Sequence, residues 1–230
     1  MKELKEAAFE ANREIPRHHL AIYTWGNVSA FDESRGVFAI KPSGVPYETL
    51  TLESMVIVDL QGGVVEGALK PSSDMETHRV LYTSFPGIGG ITHTHAAFST
   101  AWAQARRSVP VLGTTHADYC AGEIPCTPLM DEAAVKRHYE RETGSLIVNT
   151  FAKRGLSHRD VPMVLVAGHG PFTWGKNAAE SVYHAVTLEE ICKMAYYTVT
   201  LNPAADPLPA HITAKHWERK HGDNAYYGQS

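Results

Sequence analysis

The sequence predicts a three-layer α/β sandwich, with a central mostly antiparallel or mixed β-sheet flanked by helices. Two observations carry this expectation. Stretches with helical spacing are interleaved with short β-branched runs, and the runs are joined by hairpins as well as helices. In addition, no Gly-rich strand-to-helix turn supports a dinucleotide site; Gly87-Ile88-Gly89-Gly90 precedes a strand rather than following one. The chain has 230 residues, 43% of them apolar. That is enough to bury the core of one generous domain, expected over residues 1–230.

The elements follow in order. Residues 2–15 place Leu4, Ala7, Ala8, Ala11 and Ile15 at helical spacing. Residues 37–41 and 55–60 read as strands, and Gly62-Gly63 turns the second into Val64, Val65 and Glu66. Ser73 and Glu76 have the spacing of a capping box. The helix it starts should end near Phe85, where Pro86-Gly87 intervenes. A strand is expected over 88–95, a short helix over 99–105 and a long helix over 131–154. A strand over 163–167 and a helix over 177–201 follow, and the polar tail carries one more helical stretch near 211–220.

Composition narrows the function. The net charge is -4 and the pI is near 6.3, so no broad basic surface awaits a nucleic acid. The charged N-terminus has no apolar core of a secretory signal. No run of about 18 apolar residues suggests a membrane span. Three cysteines, an odd number with no metal-site spacing, are expected as buried free thiols in a reducing cytoplasm.

The chemistry sits in histidines and small polar segments. His93 and His95 are two apart, so in a strand both rings face one side and can approach one ion. His169 lies between two glycines just after an apolar strand, a poor place for a core residue. Three neutral imidazoles with a carboxylate or water fit a catalytic zinc site, with Asp74 as the candidate carboxylate. Three further segments suit an anion: residues 24–29, 41–44 and 70–73. They offer hydroxyls, free backbone N–H groups and lysines, and the last runs into a helix N-terminus.

These segments, with Gly113 to Tyr119 and the terminal Tyr226-Tyr227-Gly228-Gln229, occur in an order and spacing that resembles the class II aldolase/epimerase family along essentially the whole chain. The resemblance implies zinc at His93, His95 and His169, with Asp74 beside it. It implies a phosphate pocket at Gly26, Asn27, Ser43, Gly44, Ser72 and Ser73, with Lys41 nearby. It also implies acid/base roles for Asp118 and Tyr227, the tyrosine crossing from a neighbouring subunit of a fourfold-symmetric homotetramer. Glu140 and His216 are secondary candidates. Related aldolases carry a glutamate at the position of Asp74, so the aspartate points to the epimerase branch. The implied reaction is inversion at C4 of L-ribulose 5-phosphate, by retro-aldol cleavage and re-formation, in the cytoplasmic catabolism of a sugar such as L-arabinose. The alternative is a family aldolase cleaving a phosphorylated deoxysugar such as L-fuculose 1-phosphate.

Overall fold

In the computed structural model, which describes residues 1–223 and 225–228, the chain begins with α1 (Lys2–Arg17), β1 (Asn27–Asp32), β2 (Val37–Ile40) and a 3-10 turn at Tyr47–Thr49. It continues through β3 (Val56–Asp59), β4 (Val64–Glu66), α2 (Met75–Ser84), β5 (Gly90–His93), α3 (Ala97–Gln104) and α4 (Thr114–Ala117). The last elements are α5 (Glu132–Arg154), β6 (Met163–Leu165), β7 (Pro171–Gly175), α6 (Ala178–Leu201) and α7 (Ala210–His221). The strands form one sheet in the order β4-β3-β2-β1-β5-β7-β6. Every neighbouring pair is antiparallel, so the sheet is not mixed.

Alternation along the strands assigns the two faces. Val37, Ala39 and Ile57 join Val28 and Ala30 under α1 and the first turns of α6. Phe38, Ile40, Val56 and Val58 face the other way, against Leu81 and Tyr82 of α2 and Ile147 and Phe151 of α5. Helices therefore cover both faces, as a three-layer sandwich requires. Phe38, Ile40 and Ile57 are wholly buried, and each such side chain contributes roughly 1.5–3 kcal/mol relative to exposure.

Local chemistry sets the long helices. Asp131 caps α5 through Ala134 N at 2.8 Å, and Asn177 caps α6 through Glu180 N at 2.9 Å. The expected capping box at α2 does not form. Asp74, not Ser73, is the N-cap and makes no side-chain cap bond. Its carboxylate is drawn instead to Asn27 Nδ2 at 2.7 Å, and Glu76 pairs with Arg79 at 2.6 Å. Two strands that sequence pattern did not indicate, β1 and β7, lie on either side of β5. Asn27, Ser29, His93 and Phe172 thereby come to one region of the sheet.

The three cysteines are buried and unpaired. Burial pushes the Cys126 thiol up to about 11, and raises Cys120 and Cys192 as well. No helix among the described residues is long and apolar enough to cross a membrane.

Gly90 sets the spacing between β5 and the start of α6, since a Cβ there would lie 2.4 Å from the backbone of Ala178. Gly90→Ala must push β5 and α6 apart, an overpacking that costs roughly 1–3 kcal/mol or more. Thermal unfolding should show a clear drop in Tm; an unchanged Tm would mean that this contact is loose in solution.

Candidate active site

His93 ends β5 and is buried between the two flanking strands, opposite Asn27 of β1 and Phe172 of β7. Its ring stacks on Phe172 with centroids 4.1 Å apart. Its Nδ1 donates to the Pro171 carbonyl at 2.8 Å. A carbonyl only accepts, so Nδ1 carries the proton and Nε2 presents its lone pair. That Nε2 lies 3.1 Å from His95 Nε2. The strand has already ended at His95, yet the two rings still converge. His169 arrives from the turn between β6 and β7, closed by Val166 N to Gly170 O at 2.9 Å. One ligand atom from each of His93, His95 and His169 lies within 4.8 Å of the others.

The cluster is electrically neutral by construction. Burial lowers His93 to about 3, helped by the neighbouring His95. Burial, then the charge of His93, lowers His169 to about 3, and burial lowers His95 too. Neutral imidazoles are the form that binds a metal, and the Nδ1 bond of His93 is the usual support of a ligating ring. The donor set thus fits a divalent ion such as zinc. Asp74 Oδ2 lies 4.0 Å from His93 Nε2, beside the triad rather than within it.

The candidate anion-binding segments are stitched together next to this cluster. Asn27 Nδ2 donates to Ser72 Oγ at 3.0 Å and to Asp74 Oδ2 at 2.7 Å. Ser72 N donates to Lys41 O at 2.9 Å, and Ser43 N to Lys70 O at 3.0 Å. Gly26 has φ +74°, and a Cβ on it would lie 2.6 Å from the His93 carbonyl oxygen; only glycine fits there. Ser43, Gly44 and Ser73 are exposed. Lys41 is buried, its ammonium 3.5 Å from the Thr24 carbonyl and 4.9 Å from the Tyr47 ring centre. Burial pulls it down to about 8. Among the described residues it forms no ion pair, so an arriving anion would stabilise its charge.

Asp118, His216 and Tyr227 form a second group, held together by α7. Asp118 accepts from Arg219 Nε at 2.8 Å, Arg219 Nη2 at 2.5 Å and His216 Nδ1 at 3.0 Å. Burial raises the Asp118 carboxyl, but the bonds from Arg219 and His216 and the charge of Lys220 outweigh it and hold it below its ordinary value. The exposed Tyr227 ring lies 4.4 Å from the Lys220 ammonium and 4.9 Å from the Arg219 guanidinium. Trp217 and His221 of α7 share a cavity with Trp174, Gly175 and Lys176. This is the Gly175 end of β7, which pairs with Gly90, whereas Phe172 pairs with His93. Tyr227 is held by Arg219 and Lys220 of α7, and among the described residues no hydrogen bond or ring contact joins it to His93, His95 or His169. Gln229, part of the same terminal motif, lies outside the described residues. Glu140 meets α2 through its carbonyl, which accepts from Thr77 Oγ1 at 2.6 Å.

Two neighbours of the cluster escape a reading by motif. Tyr139 OH lies 3.5 Å from His169 Nδ1, and its phenol is raised by burial and by Asp74 and Glu140. His78 is buried behind Asp74. Its only sequence signal is a position four residues, one helical turn, after Asp74.

An antiparallel sheet lies between helical layers, with three imidazoles gathered at the end of β5. The chain belongs to the class II aldolase and adducin N-terminal domain family, whose model matches residues 6–196. It is 50% identical to L-ribulose-5-phosphate 4-epimerase UlaF of Salmonella paratyphi C, over 100% of both chains, and equally to that of Salmonella choleraesuis. Among solved structures it is similar to an L-fuculose 1-phosphate aldolase, with TM-score 0.79 and 21% identity over 94% of this chain and 95% of the other. It is also similar to YgbL of Klebsiella pneumoniae, a putative aldolase/epimerase/decarboxylase, with TM-score 0.73 and 23% identity over 93% and 97%.

Buried histidines predict how stability varies with pH. His78, His93 and His169 hold folded values of about 3, against about 6.5 in an unfolded chain. Between these values the unfolded state binds more protons, so their contribution is intact above about pH 6.5 and lost as pH falls toward 3. The Tm of metal-stripped protein should hold steady from about pH 8 to 7 and decline below about 6.5. A Tm as high at about pH 5 as at 7 would contradict the assigned burial.

Proposed function

We propose that this chain converts L-ribulose 5-phosphate to D-xylulose 5-phosphate by inverting C4. The observation that carries this reading is the end-to-end match, at 50% identity, to L-ribulose-5-phosphate 4-epimerase. The likeness to a fuculose phosphate aldolase, at 21% identity, speaks for the fold alone.

The chemistry accounts for the parts. The C4 hydrogen is not alpha to the C2 carbonyl, so direct deprotonation is unfavourable. Cleaving C3–C4 avoids it. The C4 hydroxyl loses its proton and becomes an aldehyde, and the bonding pair passes to the C2 carbonyl as an enediolate. The glycolaldehyde phosphate fragment turns over, C3 attacks its other face, and a proton returns to the C4 oxygen. His93, His95 and His169, with Asp74 beside them, would hold a divalent ion such as zinc, which supplies electrostatic stabilisation of an oxyanion.

The chain's own groups do the rest. Gly26, Asn27, Ser43, Gly44, Ser72 and Ser73, with Lys41, retain the phosphate while the aldehyde turns. Its escape would make the protein an aldolase. Asp118 and Tyr227 carry protons for the two faces of the aldehyde. A phenol, with an ordinary value of about 10, suits the donor role. Because Tyr227 contacts α7 and not its own triad among the described residues, we assign it to the triad of a neighbouring subunit, in a homotetramer with shared sites. The buried free thiols suit a reducing cytoplasm.

Two experiments test this. Incubation with L-ribulose 5-phosphate should yield D-xylulose 5-phosphate, and a chelator should stop it until a divalent ion is restored. His95→Asn should lose both most of the turnover and bound metal. If no D-xylulose 5-phosphate forms, the substrate assignment is wrong.

The second mixes subunits. Tyr227→Phe should keep fold and metal but lower turnover by about 10²-fold or more, the usual size of an acid/base contribution. Mixed tetramers of Tyr227→Phe and His95→Asn chains should regain partial activity, since some sites combine an intact triad with an intact tyrosine. Hybrids that demonstrably assemble yet stay inactive would place Tyr227 in its own subunit's chemistry, or outside the reaction.

A further inference from the structure

A chain of buried hydroxyls runs up to the site from behind. Ser29 Oγ lies 2.6 Å from Tyr82 OH and 2.7 Å from His78 Nδ1, and all three residues are buried. Protons can be ordered along this chain in three ways. If Tyr82 donates to Ser29 and Ser29 to His78, one buried group is left over, the Nε2–H of His78. The reverse order strands two groups, the Tyr82 O–H and the bare Nε2. If Ser29 accepts from both neighbours, two are again stranded, its own O–H and the bare Nε2. Unsatisfied buried groups are costly, so the first order prevails. His78 therefore presents a spare, buried N–H donor.

A spare buried acceptor lies on the same face. Asn27 Oδ1 has no hydrogen-bond partner. Its orientation is fixed, because the amide nitrogen is required by the Asp74 carboxylate, which only accepts. Asn27 and Ser29 are two apart on β1, so their side chains share a face, and Ser29 is the group that grips His78. His78 is also near enough to Asp74 and His93 to feel their charge. Asn27 braces Ser72 on one side and Asp74 on the other.

We propose that His78 is a positioning residue of this site: oriented by Tyr82 and Ser29, it directs its Nε2–H at the Asn27–Asp74 brace and so sets the spacing between the phosphate pocket and the histidine triad. This rests on the function proposed above for its effect on turnover, but not for its effect on the metal.

Two substitutions separate the ring's nitrogens. Asn places a polar atom near Nδ1 and can still accept from Ser29, but it loses the far donor. Gln reaches the position of Nε2 with an N–H and loses the contact to Ser29. The ring's one hydrogen bond in the structure is to Ser29, so a merely structural role would penalise His78→Gln more than His78→Asn. His78→Asn should lower kcat by about 10-fold or more and weaken metal affinity by about 10-fold, the usual cost of removing an outer support of a metal site. His78→Gln should stay within about threefold of the parent in both, as expected when the supporting donor is kept. Equal losses in the two variants, a larger loss in His78→Gln, or a parental His78→Asn would overturn the proposal. Should His78→Asn fail to fold, the Ser29 pair decides. Ser29→Ala should lose kcat and metal affinity, and Ser29→Thr should restore them; Ser29→Ala with parental values in both overturns the role. The metal dissociation constant needs no substrate. A chain inactive on L-ribulose 5-phosphate would thus count against the proposed reaction while leaving His78 testable.

Discussion

Three imidazoles crowd the end of β5, and they tolerate one another only because burial denies them a charge. His93 and His169 are each held near 3 chiefly by loss of solvent. Protonating His93 would bury a cation beside two further imidazoles. The surroundings serve this constraint. Phe172 covers one ring face, the Pro171 carbonyl fixes the tautomer, and β1 and β7 close both flanks of the strand. His93 thus belongs to the core, while its free Nε2 still faces the other two rings.

The segments proposed to hold the phosphate follow a different logic. They come from three loops, and loops alone would be loose. Here they are cross-tied by backbone bonds between residues 41–43 and 70–72 and by one carboxamide. Asn27 reaches from a sheet position to both Ser72 and Asp74, so these loops are tied to β1. The short side chain of Asp74 is part of this arrangement, being held by Asn27 at the rim of the triad rather than inserted among the rings.

Much of this was legible in the sequence, for identifiable reasons. The helices α1, α5 and α6 are long, periodic and capped by residues whose role is local. The three histidines could be singled out because His169 lies between glycines, which adds weight to the two-residue spacing of His93 and His95. What escaped notice is also instructive. β1 reads Asn-Val-Ser-Ala-Phe-Asp, with polar residues on the face where a core strand should be apolar, because that face serves the site. β7 opens with proline and closes with glycine, the signature of a turn rather than a strand. The capping box at α2 failed for a tertiary reason, since Asn27 lies 47 positions away from the carboxylate it captures. His78 carries no motif at all. Its meaning lies in which buried atoms remain unmatched, a property that only three-dimensional structure has.

The buried cysteines have a practical consequence. Alkylating reagents attack thiolates, and these thiols are both enclosed and shifted away from ionisation. Cys120, Cys126 and Cys192 belong to the large core beneath α3, α5 and β6. They become reactive only when that core opens. The folded chain thus contains its own clock for conformational opening, with the rate at which label accumulates on these sulfurs recording how often the interior is exposed to solvent.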